Sequence, residues 1–162
     1  MTRYSTACQF TENLEQHAHT ADWIVHEFEK IGLRTEQQAF DIPEQSPPRN
    51  GTNIIGGLNH ANSSSTPILT GAHLDTVPGS LGADDNASGV AAILECARVL
   101  ADSGNERRVT FVAFDAEEMQ PPTEGLHGST AYAEELPAES RPSASIIFES
   151  IRFSSSTIKQ RL

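Results

Sequence analysis

Cysteine is scarce in this chain of 162 residues, with two positions, Cys8 and Cys96. Cys8 sits in a polar N-terminal stretch and Cys96 inside an apolar helical pattern. They form no CxxC pair, zinc-ribbon spacing or disulfide framework, and point to two free thiols in a reducing compartment. Basic residues are few as well: 11 Lys and Arg stand against 22 Asp and Glu, for a formal net charge of -11. Such a surface repels nucleic acid and anionic membranes, so neither is expected as a partner. No apolar run is long enough to span a bilayer. The opening MTRYSTACQF lacks the apolar core of a signal peptide, which leaves the compartment open with the cytoplasm as default. No internal repeat is present. What remains is a composition of 37% hydrophobic and 20% charged residues, that of one globular domain with a core.

Periodicity orders the chain. Leu14, Ala18, Ala21, Ile24, Val25, Phe28 and Ile31 recur at helical spacing, and Gly32 stops that helix. Residues 35–42 read as a strand, followed by the breaker stretch PEQSPPRNG. Residues 53–58 and 68–74 read as two more strands, separated by a Ser-rich loop. A Gly- and Asp-rich turn over 79–86 opens a helix over 87–103, whose apolar face carries Val90, Ile93, Leu94, Ala97, Leu100 and Ala101. Residues 109–114 form a continuous apolar strand suited to a sheet covered on both faces. A helix near 129–135 and a strand near 145–150 follow. Strands alternating with helices predict an α/β layered sheet, in which ligand groups gather at the carboxyl ends of strands.

Three polar clusters fall at such ends. His73-Leu74-Asp75 puts an imidazole and a carboxylate on one side of a strand, where one can bind a metal and the other orient it. Alone, that pattern is weak, because a strand-end histidine is more often structural. Gly82 to Gly89 holds the adjacent Asp84 and Asp85; a cap and a helix-dipole partner explain one aspartate better than two. Asp115-Ala116-Glu117-Glu118 follows the apolar strand and is, by itself, as compatible with a solvated loop. As a set, one glutamate can bind metal and the other shuttle a proton. Histidine with carboxylates suits zinc or another divalent transition metal.

These stretches resemble a known family, the co-catalytic zinc aminopeptidases of clan MH, metallopeptidase family twenty-eight. The matching text is NIIGGL, ILTGAHLDTVPGSLGADDNASGVAAILECARVL, RRVTFVAFDAEE and GLHGSTAYAEEL. The resemblance implies a three-layer α/β/α sandwich with a mixed, mostly parallel sheet, two zinc ions and a peptide substrate. It implies that His73 is a terminal ligand of the first zinc, Asp75 its orienting partner and Asp85 the bridging ligand. Glu117 becomes the general base and Glu118 a terminal ligand of the second zinc. Glu149, in Ile147-Phe148-Glu149-Ser150-Ile151, takes the place of a further ligand of the first zinc, although Ser150 and Arg152 replace the usual Met and Gly. His127 is read as a packing histidine, and His17, His19, His26 and His60 have no role in the pattern.

Family domains run on for about as long again and supply another histidine. The expectation is therefore a single partial domain: N-terminal helix and strands over 1–60, metal-binding core over 66–150 and a short tail over 151–162. Its second zinc keeps only Asp85 and Glu118, and its last strand leaves an edge open to self-association. Alternatives are a catalytically impaired fragment serving as a binding or structural module, and a single-zinc relative of the glutaminyl cyclases. The related carboxypeptidase-like family also uses HxDTVP but follows it with a different glycine-rich segment.

Overall fold

The computed structural model describes residues 14–42, 48–58, 66–118 and 125–151. Helix α1 spans Leu14–Ile31 and turns Ile24 and Phe28 fully into the core. It ends where Gly32 takes φ 91° and the Leu33 N–H reaches the Phe28 carbonyl at 3.0 Å, a left-handed stop that favours glycine. Strands β1 (Arg34–Ile42) and β2 (Arg49–Leu58) pair antiparallel along their length. The breaker stretch is shorter than the sequence implied: Arg49 to Gly51 join β2 because Phe40 to Ile42 offer them a complete ladder.

Strand β3 (Ile68–His73), helix α2 (Ala87–Asp102) and strand β4 (Val109–Phe114) form a crossover that sets β3 and β4 parallel. Helix α3 (His127–Glu135) and a short 3-10 turn over Ala138–Ser140 lead to β5 (Ala144–Ile147), parallel to β3 on its other side. The strand order is β1-β2-β4-β3-β5, with two antiparallel and two parallel pairings among the described strands.

The two helical connections lie on opposite faces. Val109, Phe111 and Ala113 of β4 pack with Ile54, Leu58 and Ala72 beneath α1 and α2. Val112 and Phe114 point the other way with Leu69, and Phe114 meets Tyr132 of α3 edge-on at 5.8 Å. This is the alternation expected of a strand covered on both sides. The chain leaves β3 towards one face and β4 towards the other, so their carboxyl ends are where ligand groups gather in sheets of this kind.

No described helix is long and apolar enough to cross a membrane. Cys96 is a free thiol packed beside the core, and Cys8 lies outside the described residues. His60 and all of the predicted tail after residue 151 lie outside them too. Among the described strands, β1 and β5 stand at the two ends of the sheet, and Ile146 and Ile147 of β5 are about half exposed.

Candidate metal centre

His73 is the last residue of β3, and its ring is buried. Its Nδ1 lies 3.1 Å from the main-chain carbonyl of Asp75, close enough to donate a hydrogen bond, and 3.5 Å from that residue's carboxylate. The carbonyl therefore fixes the ring as directly as the carboxylate does. The other nitrogen, Nε2, faces outward, 3.0 Å from Asp85 Oδ1 and 3.2 Å from Glu149 Oε1. His73, Asp85 and Glu149 each present one donor atom within 4.8 Å of the others, and so do His73, Glu117 and Glu118. Among the described residues, no group of three or more contains both Asp85 and Glu118. His127 joins neither group.

The carboxylate of Asp75 does more than face an imidazole. Fully buried, it accepts the main-chain N–H of Glu117 at 3.1 Å and of Glu118 at 2.9 Å. One side chain thus joins the end of β3 to the loop after β4. The same loop is held from the other side, where the N–H groups of Leu126, His127 and Gly128 bond the carbonyls of Glu117, Ala116 and Asp115 at 3.3, 3.2 and 3.0 Å. Gly128 permits this approach, since a Cβ there would strike the Asp115 backbone and the Asn53 side chain.

Glu149 lies two residues beyond β5 rather than on it. Asn86 holds it in place. This buried residue caps α2 by accepting the Gly89 N–H at 3.0 Å, donates to the Phe148 carbonyl at 2.9 Å and accepts the Ser150 N–H at 3.3 Å. The start of α2, beside Asp85, is thereby stapled to the segment carrying Glu149. Sequence reading treats Asn86 only as part of a motif; its liking for a helix N-cap is legible, but its hold on a strand end 62 residues away is not. Asn53 is missed in the same way: buried on β2, it accepts the Asp115 N–H at 3.0 Å and donates to the Gly128 carbonyl at 2.8 Å.

Charge is concentrated here. Burial alone would lower the pKa of His73, but hydrogen bonding and charge from Asp75, then from Glu149, outweigh it and raise it to about 10. Glu118 is pushed up to about 7, first by burial and then by the charges of Glu117 and Asp85. Glu117 is also raised, by burial first, with the His73 charge opposing and Asp75, Glu149 and Asp85 reinforcing. Carboxylates that raise one another's pKa around one imidazole mark the cluster as a candidate functional site.

Residues 53–160 match the model of peptidase family M28. The chain belongs to that family. Within family M28 and its structural relatives, 85 residues of the chain are 42% identical to aminopeptidase YwaD of Bacillus subtilis (strain 168), a match covering 52% of the chain and 18% of YwaD. The backbone superposes on a glutaminyl cyclase of Bacteroides thetaiotaomicron with a TM-score of 0.77 at 22% identity, covering 90% of this chain and 56% of that one. A Zn-dependent exopeptidase from Parabacteroides distasonis ATCC 8503 gives a TM-score of 0.71 at 23% identity, covering 91% and 57%. The M28 chain thus spans a little over half of these solved structures, and its match to YwaD covers less than a fifth of that relative. The α/β layering of the fold is shared with both solved structures.

Proposed function

We propose that this chain carries zinc-binding and proton-transfer machinery of an M28 aminopeptidase, hydrolysing N-terminal peptide bonds. The observation that carries the reading is the meeting of His73 Nε2 with Asp85 Oδ1 and Glu149 Oε1 at 3.0 and 3.2 Å, beside the Glu117–Glu118 pair. The donor set fits the ion: one imidazole nitrogen, held in orientation by its other nitrogen, plus carboxylate oxygens from separate elements. His73, Asp85 and Glu149 would hold one zinc, and Glu118, which groups with His73 and Glu117, would be a ligand of a second beside it. Zinc, when bound, supplies positive charge that polarises a carbonyl and acidifies water. Glu117, whose carboxyl pKa is raised by burial first, takes a proton from the attacking water and returns it to the departing amine. Asp75 keeps Glu117 and Glu118 in register with His73.

The test is zinc content and turnover of aminoacyl-nitroanilides by the full chain. Asp85→Ala is expected to weaken zinc by at least about tenfold and to remove turnover with it. Unchanged zinc content in that variant would move the site elsewhere. The likeness to a glutaminyl cyclase backbone gives a second reading, in which an N-terminal glutaminyl substrate cyclises with loss of ammonia. Ammonia release without peptide-bond cleavage would favour it.

Zinc binding should also release protons. With a pKa of about 10, His73 is an imidazolium at pH 8, and its Nε2 must lose that proton to become a ligand. Affinity therefore rises with pH through the neutral range. Calorimetry at pH 8 in buffers of different ionisation enthalpy is expected to show at least about one proton released per zinc. No release at pH 8 would mean that the imidazole is already neutral.

A further inference from the structure

One buried carboxylate beside the centre has no part in the chemistry above. Asp115 is fully buried at the end of β4, two residues before Glu117. Its Oδ1 accepts the Ala116 N–H at 2.8 Å and lies 2.7 Å from His17 Nε2, which donates to it. Its Oδ2 accepts the Thr52 N–H at 2.8 Å. A carboxylate in such a place carries a desolvation penalty that an apolar residue of similar size would avoid, so filling space does not account for it.

Its geometry does. Directly after Asp115, Ala116 takes φ 56°, a left-handed conformation that residues with a Cβ adopt at a cost. That turn ends β4 and swings the next two N–H groups onto Asp75. Asp115 Oδ1 pins the turn through the Ala116 N–H. Of the donors found on Asp115, two are main-chain, and His17 is the side-chain donor that fixes the carboxylate itself. His17 lies on α1, is 13% exposed, and is separated from Asp115 by 98 residues.

We propose that His17 and Asp115 form a positioning pair that sets the turn at Ala116, so that α1 takes part in holding Glu117 and Glu118 at the metal centre. The proposal rests on the aminopeptidase reading for its consequence in catalysis, and on the structure alone for its effect on the loop.

The deciding measurement is amide hydrogen exchange of Glu117 and Glu118 in the full chain, compared among wild type, His17→Ala, His17→Gln and Phe28→Leu. Phe28→Leu loosens α1 on the sheet without touching the pair. His17→Ala is expected to speed exchange at those two amides by about tenfold or more beyond its effect on β4. His17→Gln, whose amide can still donate, restores most of the protection. Phe28→Leu, even with an equal loss of thermal stability, leaves the two amides in step with β4. Cobalt(II), used as a probe ion, should bind His17→Ala roughly 10–100-fold more weakly and with an altered absorption spectrum. In turnover, kcat falls by a similar factor while KM stays within about threefold. Wild-type exchange at Glu117 and Glu118 in His17→Ala, or the same acceleration in Phe28→Leu, overturns the proposal. If wild type shows no peptidase turnover, the aminopeptidase reading fails by itself, and the exchange data still decide the pair.

Discussion

Asp75→Asn is expected to produce the largest loss of any single-atom exchange in this chain, about 10³-fold in kcat/KM, with zinc bound some 10–100-fold more weakly. The buried carboxylate accepts two main-chain N–H groups, one from each glutamate, and faces the His73 ring. An amide of the same shape keeps one acceptor oxygen and turns its NH2 towards the other N–H. Two donors then confront each other in a site closed to water. The unpaired N–H costs about 1–3 kcal/mol, and the loop shifts to relieve it. Both glutamates shift with it, and His73 loses the carboxylate that faces and orients its ring. Zinc titration, steady-state kinetics and thermal melting check the three effects together. A variant with wild-type zinc affinity and turnover would show that Asp75 serves the fold alone.

Glu117→Gln is the second. The substitution removes a proton acceptor and leaves the main-chain N–H that bonds Asp75. If Glu117 is the general base, kcat drops by about 10²–10⁴-fold, KM changes little, and zinc content stays at the wild-type value. The structure also groups Glu117 with His73 and Glu118 as potential ligands, so the outcome has two readable forms. Loss of turnover with metal retained assigns proton transfer. Loss of metal along with turnover makes Glu117 a ligand and leaves the base to be found elsewhere.

Much of the fold was legible because it is written locally. The helical spacing of Ile24 and Phe28, the apolar run over 109–114 and the stop at Gly32 each reflect a preference over a few residues, and the structure realises each. His73, Asp85, Glu117 and Glu118 stand out because each lies in a polar cluster at a strand end or before a helix, whereas Glu149 and the role of each residue come only with the family resemblance. Ala18 shows the limit of the same logic: it keeps the helical period yet lies exposed, while its neighbour His17 turns inward to Asp115.

The amino-acid order by itself determined which elements form, in what sequence they come, and which acidic and imidazole groups are brought to the rim of the sheet. It also carried enough motif to point to the M28 family. Tertiary structure decided which of those groups meet. His73 reaches Glu149 across 76 residues because β5 returns beside β3, and Asp75 reaches the two glutamate amides because β4 lies on the other side. Asn86 staples two segments, and His17 finds Asp115, by the same means. Strand register and crossover place atoms to a fraction of an ångström, and that placement is a sum over the whole chain that no local pattern contains.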